Sequence, residues 1–222
     1  MSTHFVNLLD ELRRRTLRMA SEVEDMLQEA GEAVFELNEP LALRVIQRDT
    51  EVDAAEVEVE AEVIRLLALY QPVGVDLRLL CTILKVNNDL ERAADCAVNI
   101  AERARHGELQ TLARQCPELK QLYPAVRQAL RNAVQAYSQD DAEGARRVIQ
   151  DDEAIDALYG QIIRKVVATA SSAPAQIAGY LDLLFVAKNL ERLADHATNI
   201  AEDIVFLTSG AIVRHHHEPP RP

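Results

Sequence analysis

The sequence predicts an all-α protein that consists of two tandem three-helix bundles related by an internal repeat of about 100 residues. Residues 89–102 (DLERAADCAVNIAE) and 189–202 (NLERLADHATNIAE) are identical at ten of fourteen positions. Residues 42–53 (ALRVIQRDTEVD) and 145–156 (ARRVIQDDEAID) are identical at seven of twelve. Trp is absent, Phe and Tyr are few, and long proline-free runs favour long helices over strands. Self-similarity at this period indicates one structural unit that is built twice.

The first half is predicted to contain three helices, because its apolar residues recur at helical spacing. Pro40 is expected in the first turn of the second helix, where proline is tolerated. Pro72 separates the second helix from the third, and Gly107 follows the third. The predicted helices span residues 5–35, 40–70 and 75–105.

The second half repeats this plan, with helices predicted at residues 118–137, 140–171 and 174–207 and a connection up to Pro117. Asp140 and Glu143 have the spacing of a capping box, which places Asp140 at a helix N-terminus. The chain is therefore divided into domains at residues 1–108 and 109–210. Residues 211–222 are polar and end in Pro-Pro-Arg-Pro, so they are assigned to a flexible tail. The His215–His217 tract within them is interpreted as a solvated end and not as a metal site.

Composition excludes several classes of function. The net charge of −12 argues against nucleic acid as a partner, because binding phosphates requires a basic surface. No apolar run approaches the roughly 20 residues that span a bilayer, and the N-terminus lacks a signal-peptide pattern. The three cysteines have no metal-type spacing, which favours reduced structural thiols in the cytoplasm.

Acidic residues recur at i, i+4 on two predicted helices of each half. Residues four apart share a helix face, so each pair forms part of one polar stripe beside the core. Like charges at this spacing destabilise a helix, and keeping four carboxylates per half therefore suggests that a cation lies between the helices. Carboxylate oxygens suit magnesium, calcium, manganese or iron. The candidate metal ligands are Asp49, Asp53, Glu91 and Asp95 in the first half and Asp152, Asp156, Glu191 and Asp195 in the second. Asn99, Glu102, Asn199 and Glu202 are further candidates on the same stripes.

Two other interpretations of the acidic residues stay open. The carboxylates could form exposed faces that pair with nearby arginines, since Arg92 and Arg192 lie within the motifs. A carboxylate-bridged di-metal enzyme is the catalytic alternative, but it requires Glu-x-x-His on two helices, and no histidine here follows a Glu by three residues. His196 is interpreted as a helix-surface residue, because Cys96 occupies its position in the first half. No glycine-rich phosphate loop or Ser-His-Asp arrangement is present, so no catalytic residue is predicted.

The repeated segments resemble the PhoU family of phosphate-transport accessory proteins. The resemblance rests on QPVGVDLRLL (71–80), NDLERAADCAVNIAERA (88–104) and KNLERLADHATNIAEDIVFL (188–207), and it covers essentially the whole chain. That family carries a paired E(D)xxxD motif in each half. It usually has Gly immediately before the Asp of the motif, where this chain has Ala94 and Ala194.

The resemblance implies a cytoplasmic, non-enzymatic protein that frequently forms a homodimer. It implies negative regulation of the phosphate-starvation response, with a sensor histidine kinase and the ATPase subunit of a phosphate importer as partners. Service to a different phosphate transporter is an alternative. The resemblance also implies that the eight E(D)xxxD carboxylates named above bind metal ions, as multinuclear iron or zinc in some members; manganese and magnesium are further candidates.

Overall fold

The computed structural model describes residues 3–105, 107–170 and 174–213. Within these ranges the chain forms seven α-helices and no strand. The helices are α1 (Thr3–Glu36), α2 (Glu39–Tyr70), α3 (Val75–Arg103), α4 (Gly107–Gln115), α5 (Pro117–Gln139), α6 (Ala142–Ala170) and α7 (Ile177–Ser209), with a 3₁₀ turn at Pro174–Gln176 before α7. The all-α class is confirmed.

The ends of α2 follow from its local sequence. The side chain of Asn38 caps the N-terminus by accepting a hydrogen bond from the backbone N–H of Leu41 at 3.3 Å. Pro40 occupies the first turn, as predicted. At the other end Gln71 adopts a left-handed conformation (φ 45°), and Pro72 follows it.

Two predicted details of the helices are wrong. The connection before Pro117 contains an additional helix, α4, because Leu109, Leu112 and Ala113 present one apolar face that packs on α7 and α1. The cap of α6 is Asp141 and not Asp140: its Oδ1 accepts from the backbone N–H groups of Glu143 at 3.1 Å and Gly144 at 2.9 Å.

Asp140 instead ends α5 in a left-handed conformation (φ 52°). Its two carboxylate oxygens lie 2.7 and 3.1 Å from the guanidinium of Arg13 on α1. The residue therefore joins the first helices of the two halves.

The helices form two three-helix bundles, α1–α3 and α5–α7, which pack against each other along α3 and α7. The contact between α3 and α7 is the most extensive between any two described helices. The alanines beside each acidic motif are buried, as the repeat predicts. These residues are Ala94, Ala97 and Ala101 on α3 and Ala194, Ala197 and Ala201 on α7.

Ion pairs between α3 and α7 cross the interface between the bundles. Lys85 Nζ on α3 lies 2.9 Å from Oδ1 of Asp203 on α7, whose side chain is almost fully buried. Arg103 Nη1 on α3 lies 3.5 Å from Oδ1 of Asp182 on α7. The same two helices that carry the acidic motifs therefore hold the bundles together.

Three further sequence predictions concern the ends and surroundings of this fold. The predicted domain boundary between residues 108 and 109 falls inside α4 and stays a prediction. The His215–His217 tract and most of the predicted tail lie outside the described residues. None of the described helices is long and apolar enough to cross a membrane.

Candidate functional site

The first acidic cluster lies between α2 and α3, where the antiparallel helices bring the predicted pairs together. The pKa of Asp49 is raised by burial, and the neighbouring carboxylates of Asp53, Asp95 and Glu102 raise it further. Three of the four predicted ligands of the first half are thus close enough to affect one another electrostatically. Glu102, a secondary candidate, joins the same cluster.

Glu91 extends this cluster along α3. Its pKa is raised first by burial and then by Asp95, while Arg92 opposes the shift and Asp53 and Glu56 add to it. Arg92 Nε lies 3.5 Å from Glu91 Oε2, and its Nη1 lies 3.7 Å from Asp95 Oδ2. The arginine predicted by the alternative interpretation is therefore present, but its half-exposed side chain does not cancel the mutual repulsion of the acids.

One atom of the cluster has an unmet bonding requirement. Asp49 Oδ1 is buried and accepts no hydrogen bond. A buried acceptor without a partner costs roughly 1–3 kcal/mol, and more when the group is charged. The position of this oxygen among like charges makes it a candidate to contact a bound cation.

The second cluster lies between α6 and α7 and repeats the first. The pKa of Asp152 is raised by burial and by Asp156; nearby Thr198 lowers it, and Glu191 raises it again. The pKa of Asp195 is raised to about 6, first by partial desolvation and then by Glu191 and Asp152. All four predicted residues of the second half are therefore gathered at one place, with Asp195 at the exposed side.

A lysine modifies the second cluster. Lys188 Nζ lies 2.5 Å from Glu191 Oε2, and it also lies over the ring of Tyr159 at 5.4 Å from the centroid. In the first half, position 88 is Asn and the residue equivalent to Tyr159 is Glu56. The first cluster is therefore the more acidic of the two.

Neither cluster is a closed ligand shell. Within the described ranges, no three His, Cys, Asp or Glu side chains converge closely enough to hold a metal ion as they stand. The oxygen-only donor set and the orphaned Asp49 oxygen fit a hard cation. Binding one requires the side chains to turn inward from these open surfaces.

A polar cleft of about 580 Å³ continues from the first cluster toward α7. Glu56 and Glu60 of α2 line one wall, and Asn199 and Glu202 of α7, both secondary candidates, line the other. Asp89 of α3 also lines it, although 93% of this residue is shielded from solvent. The cleft connects the acidic stripe of the first bundle to the interface between the bundles.

The interpretation of His196 as a surface residue is wrong. Its Nδ1 lies 2.9 Å from Asp89 Oδ1 across the α3–α7 interface, and its side chain is only 16% exposed. Asn199 Nδ2 donates to the same oxygen of Asp89 at 3.1 Å. Sequence reasoning missed Asp89. Its one signal in the sequence is that position 89 is Asp where its repeat partner, position 189, is Asn, and this difference does not indicate which residue Asp89 contacts.

Comparison with known proteins identifies close similarity over the whole fold. The PhoU domain family model matches residues 16–104 and 119–204. A protein of Aquifex aeolicus named phosphate-specific transport system accessory protein PhoU homolog is 37% identical over 215 residues, which cover 94% of this chain and 95% of that protein. The homolog of the same name from Zymomonas mobilis is 34% identical over 211 residues, which cover 93% of this chain and 89% of the relative.

Solved structures show the same similarity in three dimensions. The crystal structure of PhoU from Pseudomonas aeruginosa superposes with a TM-score of 0.86 at 31% identity, covering 93% of this chain and all of that one. The phosphate transport system regulatory protein PhoU from Streptococcus pneumoniae gives a TM-score of 0.85 at 27% identity, covering 94% of this chain and 99% of that one.

Proposed function

This chain belongs to the PhoU family, and we propose that it is a non-enzymatic regulator of phosphate homeostasis that serves a phosphate-specific transport system. The observation that carries the proposal is the doubled motif LER-x-x-D-x-A-x-NIAE, which occupies equivalent positions on α3 and α7. Relatives that match almost the whole chain bear the name of transport-system accessory proteins. The repeated residues are acidic and partly exposed, which suits a regulatory surface.

The proposed partners are the ATPase subunit of a high-affinity phosphate importer and a phosphate-sensing histidine kinase. In this role the protein, acting in the cytoplasm as a homodimer, restrains the starvation response while phosphate is plentiful. The support is the family resemblance together with the relatives' names. The alternative is that the protein serves a different phosphate transporter. Its class of function would then be the same, and only its partner would differ.

Metal binding by the two carboxylate clusters is the second part of the proposal. The ligands are those predicted from the sequence: Asp49, Asp53, Glu91 and Asp95 in the first half, and Asp152, Asp156, Glu191 and Asp195 in the second. A di- or trivalent cation, such as iron in a multinuclear cluster, zinc, manganese or magnesium, supplies the positive charge that relieves their repulsion. The raised pKa values and the unpartnered Asp49 oxygen support it.

Complementation tests the regulatory role directly. The chain is expressed in Pseudomonas aeruginosa from which PhoU has been deleted, with a reporter fused to a phosphate-starvation promoter and the native PhoU as positive control. We expect repression of the reporter in high phosphate to be restored. A reporter that stays derepressed while the protein accumulates to the level of the control rejects the regulatory role in that host.

Co-purification then separates the partners. A tagged chain is expected to retain the importer's ATPase subunit and the histidine kinase of the same cells. If the chain restores repression but retains neither partner, we would infer that it serves another transport system. The isolated protein is also assayed for oxygen consumption after loading with iron, since turnover would favour the di-metal enzyme.

A further inference from the structure

A second cleft, whose surface is mostly apolar, lies at the junction of the two bundles and shares no residue with the carboxylate clusters. It has a volume of about 320 Å³. Its lining combines apolar side chains with two arginines and one aspartate. Its lining residues are Arg13, Val75, Arg78, Leu79, Asp140, Leu207 and Thr208.

The charges in this cleft do not balance. Arg13 forms a two-pronged ion pair with Asp140, at 2.7 and 3.1 Å, so these two groups neutralise each other. Arg78 is half-buried, and among the described residues none forms an ion pair with it. The cleft therefore carries one uncompensated positive charge.

Arg78 also lacks a hydrogen-bond acceptor where it is buried. Its Nε is shielded from solvent and donates to no atom of the protein. Its Nη1 faces Gly210, the residue that ends α7. Native proteins satisfy such groups with protein atoms, water or a ligand. Arg48 and Arg103 also have a buried guanidinium nitrogen without an acceptor, but both form ion pairs with carboxylates, which Arg78 does not within the described part of the chain.

From these observations we propose that the cleft binds a small organic oxyanion whose head group is received by Arg78. The planar guanidinium presents two parallel N–H groups, which match the oxygens of a phosphate or a carboxylate. The cleft is several times larger than the roughly 30 Å³ that a water molecule occupies in the liquid. Val75, Leu79 and Leu207 therefore receive an apolar body attached to the anionic head.

The test uses phenyl phosphate and benzoate, which share one apolar body and differ in the head group, together with inorganic phosphate as a head without a body. Binding is followed by the NMR resonance of Arg78 Nε–H in the full chain. We expect phenyl phosphate or benzoate to shift this resonance saturably and to bind more tightly than inorganic phosphate. Whichever of phenyl phosphate and benzoate binds more tightly identifies the head group that the cleft prefers.

Variants separate this site from general charge effects. Arg78→Gln, monitored by calorimetry, is expected to weaken binding by about tenfold or more, because a charge-assisted pair is lost. Arg78→Lys keeps the charge without the planar fork and serves if the glutamine variant does not fold. Arg146→Gln, an exposed change of the same charge on α6, should bind as the wild type does.

Three results would overturn the proposal. The first is that no probe binds the wild type below about 10 mM. The second is equal binding by the wild type and the Arg78 variants. The third is equal weakening by Arg146→Gln, which would mean that only the net charge matters. Because neither metal loading nor gene regulation enters this experiment, its failure leaves the proposed function untouched.

Discussion

Asp89 on α3 and His196 on α7 meet across the interface between the two bundles, with Oδ1 of the aspartate 2.9 Å from Nδ1 of the histidine. Asn199 donates to the same carboxylate oxygen at 3.1 Å. At the equivalent positions of the repeat stand Asn189 and Cys96. This equivalent pair has neither a carboxylate nor an imidazole and cannot form the same contact. The contact that joins the two halves here is therefore not repeated by the internal symmetry.

Asp89→Ala is expected to destabilise the protein by about 2 kcal/mol, because His196 and Asn199 lose the acceptor of two part-buried hydrogen bonds. Asp89→Asn should cost less, since the amide oxygen still accepts. Urea unfolding monitored by circular dichroism measures both. Equal stability of the alanine variant and the wild type would show that the contact contributes nothing to the joining of the bundles.

The sequence predicted the acidic clusters because their geometry depends on local rules. An i, i+4 pair lies on one face of any helix, and a connection of a few residues forces α2 and α3 to be antiparallel neighbours. The same reasoning placed α6 beside α7. Asp49 therefore meets Asp95, and Asp152 meets Asp195, without any knowledge of the rest of the fold.

The contact between Asp89 and His196 could not be predicted in this way. These residues are 107 positions apart, and their meeting depends on how one bundle docks on the other. The internal repeat predicts two similar units but says nothing about which faces join them. The alanines beside each motif are buried as predicted, but their burial does not indicate that α3 and α7 form the most extensive contact between the described helices.

Gly31 tests the packing of α1 against α5. A Cβ at this position would lie 2.1–2.2 Å from the ring carbons of Tyr123, whose hydroxyl donates to the backbone oxygen of Gln28 at 3.0 Å. We expect Gly31→Ala to lower the free energy of unfolding by about 1–3 kcal/mol, because the ring must move.

Gly160 is the matched control, since it lies inside α6 and its Cβ would be 3.4 Å from the flexible end of Arg164. Gly160→Ala should stabilise the protein by about 0.5–1 kcal/mol through helix propensity. The midpoint temperature of thermal unfolding should therefore fall in Gly31→Ala and rise in Gly160→Ala. A Gly31→Ala variant as stable as the wild type would mean that Tyr123 has room to yield.

Asp195 provides a test through pH. Its pKa in the folded protein is about 6, above the value of about 3.9 expected in the unfolded chain. A folded-state pKa that is raised means that the folded protein holds the proton more tightly, so stability falls as the pH rises between about 4 and 6. In the absence of metal, Asp195→Asn should remove this loss.

We therefore expect Asp195→Asn to be more stable than the wild type at pH 7 by about 1 kcal/mol, a value discounted for the exposure of the carboxylate. The difference should disappear toward pH 4. Asp151→Asn, an exposed change on α6, is the control and should show no such trend. A constant difference between the wild type and Asp195→Asn from pH 4 to 7 would contradict the assigned pKa.

The last prediction concerns the metal sites. Glu91→Gln combined with Asp95→Asn keeps the shape of both side chains and removes two charges from the first cluster. If this cluster binds metal, the metal content per protein molecule should fall by the amount that the first cluster binds. The metal bound by the second cluster should be unchanged. Elemental analysis after reloading with iron, zinc, manganese or magnesium measures the content, and isothermal titration measures the affinity.

Glu22→Gln combined with Asp25→Asn is the matched control, because it removes two charges from exposed positions on α1. The control should keep the metal content of the wild type, and circular dichroism should show that both double variants retain their helices.

The affinity of the wild type for metal should also fall as the pH drops through about 6, since Asp195 must lose its proton before it can bind metal. Full metal content in the Glu91/Asp95 variant, or a wild type that takes up none of the four metals, would leave the stripes as docking surfaces. Their partner would then be a basic protein face, which compensates the same repelling carboxylates from outside.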